Sequence, residues 1–176
     1  LVLAGYSVST ANGTDSGVVD IYNLDESTGW SQAHRILGDA SQDYLQSASL
    51  SSDGMILAVG APGHNGGGGP DTGLVRIFQN DGYGTWSQLG SDLTGNQNEH
   101  LGKSPSLSDD GLTLAIIAGT DSEAENRGEV RVYRYDSGMN DWLQVGAGIS
   151  GIGQGNMAAG VKLSGDGQSL VYSSPN

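Results

Sequence analysis

The sequence has no cysteine, and only seven of its 176 residues are Lys or Arg. Without cysteine there is neither a disulfide framework nor a thiolate for catalysis or metal binding. Twenty Asp and Glu residues bring the formal net charge to −13, which argues against nucleic acid and anionic membrane surfaces as partners. The longest apolar run, residues 55–61, is much shorter than the about 20 residues that a membrane-spanning helix needs. We therefore expect no nucleic-acid binding and no direct membrane insertion.

Glycine, in contrast, is abundant, with 30 residues in the chain against a usual content of about 7%. No segment shows a sustained helical period. Many glycines combined with few charges are typical of short strands joined by tight turns. The composition therefore predicts an all-β fold.

Four series of residues recur at one spacing. The tryptophans Trp30, Trp86 and Trp142 are 56 residues apart. The leucines that open L-S-x-D-G form a second series, Leu50, Leu107 and Leu163. Two series of glycines complete the set: those that open G-x-V-x-I/V-Y/F, which are Gly17, Gly73 and Gly128, and a further one, Gly38, Gly95 and Gly151. Their spacings lie between 55 and 57 residues. A shared period in four series indicates an internal structural repeat.

Each repeat reads as four strands, A to D. Strand A ends at the leucine of L-S-x-D-G, and the Asp-Gly pair forms a hairpin turn. Strand B is a continuous apolar run such as MILAVGA, as expected for a strand buried on both faces. Strand C alternates, with Val75 and Ile77 on one face and Leu74, Arg76 and Phe78 on the other. Strand D carries the tryptophan, expected to be a buried packing anchor between sheets rather than an exposed sugar platform.

The fold prediction is a β-propeller of four-stranded antiparallel blades with a 56-residue period and about three blades visible. The strand order is B-C-D, A-B-C-D, A-B-C-D, A-B. We treat residues 1–176 as one propeller segment, with repeat units at about 1–45 (partial), 46–101, 102–158 and 159–176 (partial). Half-blades at both ends predict a piece of a larger propeller. The edges at residues 1–5 and 169–173 are then expected to pair with further blades of the same polypeptide or with neighbouring subunits.

The repeated motifs resemble those of FG-GAP-like propeller proteins. The resemblance rests on S-x-D-G-x-x-L-A-V-G-A-P at residues 51–62, followed by residues 73–78 and 86–90, and it recurs at 108–119, 128–133 and 142–146. It is closest to the divergent repeats of large secreted or surface proteins of bacteria and of diatoms and their relatives. The resemblance implies a propeller fold and an extracellular or cell-surface location.

Calcium-binding members of that superfamily carry a D-x-D-x-D-G loop where strand A turns into strand B. Here the turn holds only Asp53, Asp109 with Asp110, or Asp166. One or two carboxylates cannot supply the six or more oxygen ligands that calcium takes. We therefore expect these aspartates to form turns, and we expect no bound metal and no cofactor.

Candidate binding residues lie in the longer B–C and D–A loops, which share one face of the predicted propeller. They are His64, Asn65, Asp71, Glu99, His100, Asp121, Glu123 and Arg127. The three histidines, His34, His64 and His100, are on separate loops and show no metal-ligand spacing. Asn12 opens an N-G-T glycosylation sequon in the first B–C loop.

Two functions compete. The first is a non-catalytic binding or structural propeller of a larger extracellular protein or assembly, such as an adhesion protein, with a protein or surface glycan as partner. The alternative is a propeller enzyme, a glycan lyase or hydrolase, with its site in the central channel. The predicted innermost strands read QSASL, KSPSL and GVKL, so Lys103 and Lys162 are their only ionisable residues. Because glycan hydrolysis generally needs paired carboxylates, the sequence favours the non-catalytic reading. The period is too long for a WD-repeat scaffold.

Overall fold

The computed structural model describes residues 1–5, 8–119, 128–150 and 160–173. These residues form fifteen strands and no helix. The first sheet contains β1 (Val2–Gly5), β2 (Val18–Asp25) and β3 (Gly29–Leu37). The second contains β4 (Ser47–Leu50), β5 (Ile56–Ala61), β6 (Leu74–Asn80) and β7 (Trp86–Gln88), with β8 (Leu93–Thr94) also paired to β6.

The third sheet repeats the second. It contains β9 (Lys103–Leu107), β10 (Thr113–Ala118), β11 (Glu129–Asp136) and β12 (Asp141–Gln144), with β13 (Ile149–Ser150) also paired to β11. The fourth contains β14 (Gly160–Leu163) and β15 (Leu170–Ser173). All strand pairs are antiparallel. In the described residues no helix is long and apolar enough to cross a membrane.

The predicted all-β class and strand order are confirmed, with one difference in strand D. In the second and third sheets this strand is split into β7 and β8, and into β12 and β13. Each split contains a glycine with positive φ, Gly90 at 76° and Gly146 at 71°. This conformation is unfavourable for other residues and turns the chain away from the ladder. The described sheets form an open series and do not close into a ring.

The second strand of each complete sheet lies inside the protein. Every residue of β5 and of β10 is buried, as the continuous apolar runs predict. The alternation of strand C is confirmed as well. Val75 and Ile77 pack towards the third sheet, whereas Leu74 and Phe78 pack towards the first. The second sheet therefore contributes both of its faces to cores that it shares with its neighbours.

The first strands of successive sheets lie side by side: β4 contacts β9, and β9 contacts β14. Small residues permit this close approach. A Cβ added to Gly60 of β5 would lie 2.0 Å from the carbonyl oxygen of Gly102, a distance that no side chain can occupy. Any residue larger than glycine at position 60 would therefore push the second and third sheets apart.

The tryptophans occupy equivalent positions but differ in burial. They pair with Leu24, Asn80 and Tyr135 at the same register point of strand C. Trp142 is 5% exposed, and its Nε1 donates a 3.0 Å hydrogen bond to the carbonyl of Leu89 in the preceding sheet. Trp86 is half-buried. Trp30 is 55% exposed, because no described sheet precedes the first one.

We expect Trp142→Ala to lower the free energy of unfolding by about 3–5 kcal/mol, because it opens a cavity between two sheets. Trp142→Phe retains most of the apolar contact but removes the indole donor, and should cost less. Urea unfolding of the natural protein measures both effects. A loss below about 0.5 kcal/mol for Trp142→Ala, the usual range of surface substitutions, would contradict the anchor role.

Candidate functional site

A cavity of about 630 Å³ lies along the first strands of the sheets. Its wall comes from β1, β4, β9, β14 and β15 and from Gln46, directly before β4. The polar lining residues are Gln46, Ser47, Ser104, Lys162, Tyr172 and Ser173, and the others are Val2, Ala4, Ala48, Pro105, Gly160, Val161 and Val171. The cavity therefore offers amide and hydroxyl groups and one ammonium on a largely aliphatic wall.

Serines connect the strands that form this wall. Ser47 Oγ donates to the carbonyl of Gly102 at 2.8 Å. Ser49 Oγ accepts from the Leu107 amide at 3.0 Å, and Ser106 Oγ accepts from the Leu163 amide at 3.0 Å. Each bond joins one sheet to the next. We call this series, Ser47, Ser49 and Ser106, the serine seam; it links the first strands that border the cavity.

The third sheet shows an irregularity where it meets the cavity. The register between β9 and β10 shifts between the pairs Ala115–Ser106 and Ile117–Lys103. Within this stretch Ser104 has a φ of 49°, which is uncommon for a residue other than glycine. Bulges of this type redirect side chains and often lie next to functional sites. Here the irregularity includes Ser104 and Pro105, which both line the cavity.

Five of the predicted binding residues are located in one layer of loops. The Asp71 amide donates to Asn65 Oδ1 at 2.8 Å, and the His100 amide donates to the Asp71 carbonyl at 2.9 Å. His100 Nδ1 lies 3.1 Å from the Pro62 carbonyl. These loops are therefore hydrogen-bonded to each other. A binding role for these residues stays a prediction. Asp121, Glu123 and Arg127 lie outside the described residues.

The remaining histidine of this layer, His64, has a partner that sequence reasoning missed. Its Nδ1 lies 3.2 Å from Oδ1 of Asp43. The Asp43 residue is 2% exposed, and its Oδ2 accepts a 2.8 Å hydrogen bond from the Ala40 amide. The two residues are 21 positions apart and follow different strands, so nothing in the local sequence indicated the pair.

Arginines on strand C join neighbouring sheets on this side. Arg76 forms ion pairs with Asp92 at 2.8 Å and with Asp39, in the loop that follows the first sheet, at 3.1 Å. The hydrogen bond from Arg76 lowers the pKa of Asp92, although burial opposes the shift. At the equivalent position of the next sheet, Arg131 pairs with Glu99 and Glu129. Glu99, predicted as a ligand-binding residue, is therefore part of a contact between sheets.

The opposite side of the sheets carries the Asp-Gly turns. Asp53 Oδ1 accepts hydrogen bonds from Ser51 Oγ at 2.6 Å and from the Met55 amide at 2.9 Å. The same pattern recurs at Asp110 and Asp166. These contacts confirm the expected turn-forming role. In the described ranges no group of three His, Cys, Asp or Glu residues could hold a metal ion; the absence of calcium itself stays a prediction.

The glycosylation candidate Asn12 is exposed, but its side-chain nitrogen is engaged. Nδ2 donates a 2.8 Å hydrogen bond to the carbonyl of Gly38. This nitrogen is the atom that a glycan would be attached to, so modification requires the bond to break. Glycosylation at Asn12 stays a prediction.

Comparison with known proteins identifies the fold but no family. No family model matches the chain, and no curated protein sequence matches it. The chain is similar to the solved structure of a periplasmic gluconolactonase of Pseudomonas aeruginosa, with a TM-score of 0.62 and 19% identity over 98% of this chain. It is also similar to a protein assigned as a 6-phosphogluconolactonase from Bacteroides uniformis, with a TM-score of 0.55 and 15% identity over 96% of this chain. The chain spans 46% of the length of each.

These similarities correct three expectations. The resemblance to FG-GAP-like repeats was wrong, because the similar structures are lactonase folds and no family model supports that assignment. The prediction of a non-catalytic adhesion or structural propeller was wrong as well, and so was the prediction that the chain is not an enzyme. Both similar proteins bear the names of hydrolytic enzymes. The enzyme alternative fits them better.

The Arg76 contact predicts an acid-dependent loss of stability. Because the folded-state pKa of Asp92 is lowered, its ion pair stabilises the fold above the unfolded-state value of about 3.9. This contribution is lost as the pH falls through the folded-state pKa. We expect Arg76→Met to be less stable than the natural protein at pH 7, with the difference shrinking towards pH 3. Urea unfolding at both pH values measures it. A difference that stays constant would contradict the ion-pair contribution.

Proposed function

We propose that this chain forms about half of a lactonase-type β-propeller and that the complete propeller hydrolyses a cyclic ester of a sugar acid at its central channel. The observation that carries the proposal is the cavity along the first strands, in a chain that shares its fold with two proteins named as lactonases. The repeated sheets, joined at their first strands by the serine seam, agree with a radial arrangement around such a channel.

Lactone hydrolysis sets clear requirements. A water oxygen bonds to the ester carbon while a base takes a proton from that water, and hydrogen-bond donors stabilise the negative oxygen of the tetrahedral intermediate. The bond from the ester carbon to the ring oxygen then breaks, and the ring oxygen takes a proton to become a hydroxyl. The products are a free carboxylate and one proton released to solvent.

The described residues suit recognition of the sugar. Gln46 and Tyr172 line the cavity, and their amide and phenol groups can donate to and accept from sugar hydroxyls. Among the described lining residues none is an acid or a histidine. We therefore propose that the base comes from another part of the complete propeller, and that this chain orients the substrate.

We also propose a non-cytoplasmic location. It is supported by the similarity to a periplasmic gluconolactonase, and a cysteine-free chain is compatible with an oxidising compartment.

The activity is tested with glucono-δ-lactone as the probe, by following proton release above the spontaneous rate. We expect Gln46→Ala to lower kcat/KM by about tenfold, as the loss of a substrate hydrogen bond of about 1.4 kcal/mol would. Gln79→Ala is the matched control, because Gln79 lies exposed in β6 and away from the cavity. A natural protein that does no better than the spontaneous rate would refute the proposal.

The exposed outer faces support the proposal of further blades. Leu3, Leu24 and Trp30 of the first sheet are each more than half exposed, and Val171 of the last sheet is 68% exposed. Native sheets rarely leave such apolar faces and edges uncovered. We propose that further blades, of the same polypeptide or of a neighbouring subunit, cover both faces. Trp30 would then contact its neighbour as Trp142 contacts Leu89.

The free energy of unfolding of the natural protein and its variants tests whether a further blade covers the first sheet. If a further blade packs on Trp30, Trp30→Ala should cost about 3–5 kcal/mol, as expected for a buried tryptophan. Tyr83→Ala is the control, because Tyr83 is 96% exposed at a turn, and it should change stability by less than about 0.5 kcal/mol. Equal small effects of both substitutions would show that the face stays open.

A further inference from the structure

Lys162 interrupts the serine seam. The leucines that end the first strands, Leu107 and Leu163, each donate their amide to a serine of the preceding sheet, Ser49 and Ser106 respectively. Those serines directly precede the leucine of their own strand. In β14 the residue directly before Leu163 is Lys162, so a lysine stands where the repeat otherwise has a serine.

The substitution removes a structural function. A serine hydroxyl accepts a hydrogen bond, whereas a lysine ammonium has three donors and no acceptor. Lys162 therefore cannot take the amide bond that Ser49 and Ser106 take. Positions that break an otherwise consistent local pattern are the ones expected to serve function instead of folding.

Lys162 differs from three arginines of the chain in lacking a carboxylate partner among the described residues. Arg35, Arg76 and Arg131 each form an ion pair with a carboxylate. The side chain of Lys162 has no hydrogen-bond or ion-pair partner among the described residues, and Lys162 is exposed. It is also the only charged residue among the described residues that line the cavity. In a chain with a net charge of −13, the cavity wall thus carries a cation that no acid of the wall neutralises.

We propose that Lys162 binds the anionic group, a carboxylate or a phosphate, of a sugar derivative held in the cavity. An ammonium forms charge-assisted hydrogen bonds with either anion. The neutral donors and acceptors beside it, among them Gln46 and Tyr172, suit the hydroxyls of the same ligand. Binding of the anion stands on the cavity alone, whereas identification of the ligand as a lactonase substrate or product rests on the proposed function.

The two anions are separated by three probes, titrated calorimetrically into the natural protein at low ionic strength. Gluconate carries the carboxylate, glucose 6-phosphate carries the phosphate, and glucose carries neither. We expect at least one charged probe to bind at least about tenfold more tightly than glucose, which corresponds to about 1.4 kcal/mol. The preference should weaken as salt is added.

Three variants connect the binding to the residue. Lys162→Met removes the charge with similar length, and Lys162→Ser restores the residue of the repeat; both should weaken binding of the preferred anion by about tenfold or more, the equivalent of one charge-assisted contact. Arg134→Gln is the matched control, because Arg134 is exposed in β11 and does not line the cavity. It should leave the affinity within about twofold.

Two outcomes would overturn the proposal. Lys162→Met could lower the melting temperature while leaving the anion affinity unchanged, which would make Lys162 a structural partner of an adjacent blade. Alternatively, the natural protein could bind neither charged probe more tightly than glucose. The proposed function is tested separately. Anion binding without lactone hydrolysis would refute the proposed lactonase activity but support the anion site. Lactone hydrolysis without a preference for anions would support the activity but refute the anion site.

Discussion

The close approach of the first strands is the constraint on which the rest of the structure depends. Successive sheets can meet along this edge only if the residues there are small, as Gly60 and Gly102 are. Serine hydroxyls then accept hydrogen bonds from backbone amides of the next sheet, as Ser49 does from the Leu107 amide. One serine of the seam, Ser47, both bonds to the next sheet and lines the cavity. The strands that pack the sheets together therefore also supply the cavity wall, largely through other residues of the same strands.

Repeated residues predicted the all-β class and the strand order because each of them has a local structural role. Asp53 closes a turn through its own side chain, and the apolar run of β5 is buried on both faces. Such tasks recur wherever antiparallel four-stranded sheets repeat, whatever the protein does. The motif that suggested FG-GAP-like proteins consists of these residues. It therefore carried information about the strands and none that separates one family of repeated antiparallel sheets from another.

The loop residues show why the site was harder to predict. His64 and Glu99 were chosen because they are polar and follow strands on one side, and the structure does place them in one layer. Their partners are Asp43 in the loop after β3 and Arg131 in β11, so the pairing depends on how the sheets stack. The split of strand D at Gly90 was missed for a related reason, since a glycine in a strand indicates a bend only once its positive φ is known.

Trp30 and Lys162 both lie exposed on end sheets of the described series, but only the position of Lys162 departs from the residue of the repeat. Trp30 is exposed although its repeat partners Trp86 and Trp142 are not; the residue is unchanged, and its exposure follows from its place on the outermost sheet. Lys162 is exposed in a position where the residue type itself has changed from the serine of the repeat. Exposure on an end sheet needs no change of residue, whereas a lysine at this position gives up the acceptor with which Ser49 and Ser106 bind the next strand. In a repeat protein, the departure from the repeat is therefore the stronger indication of a binding role.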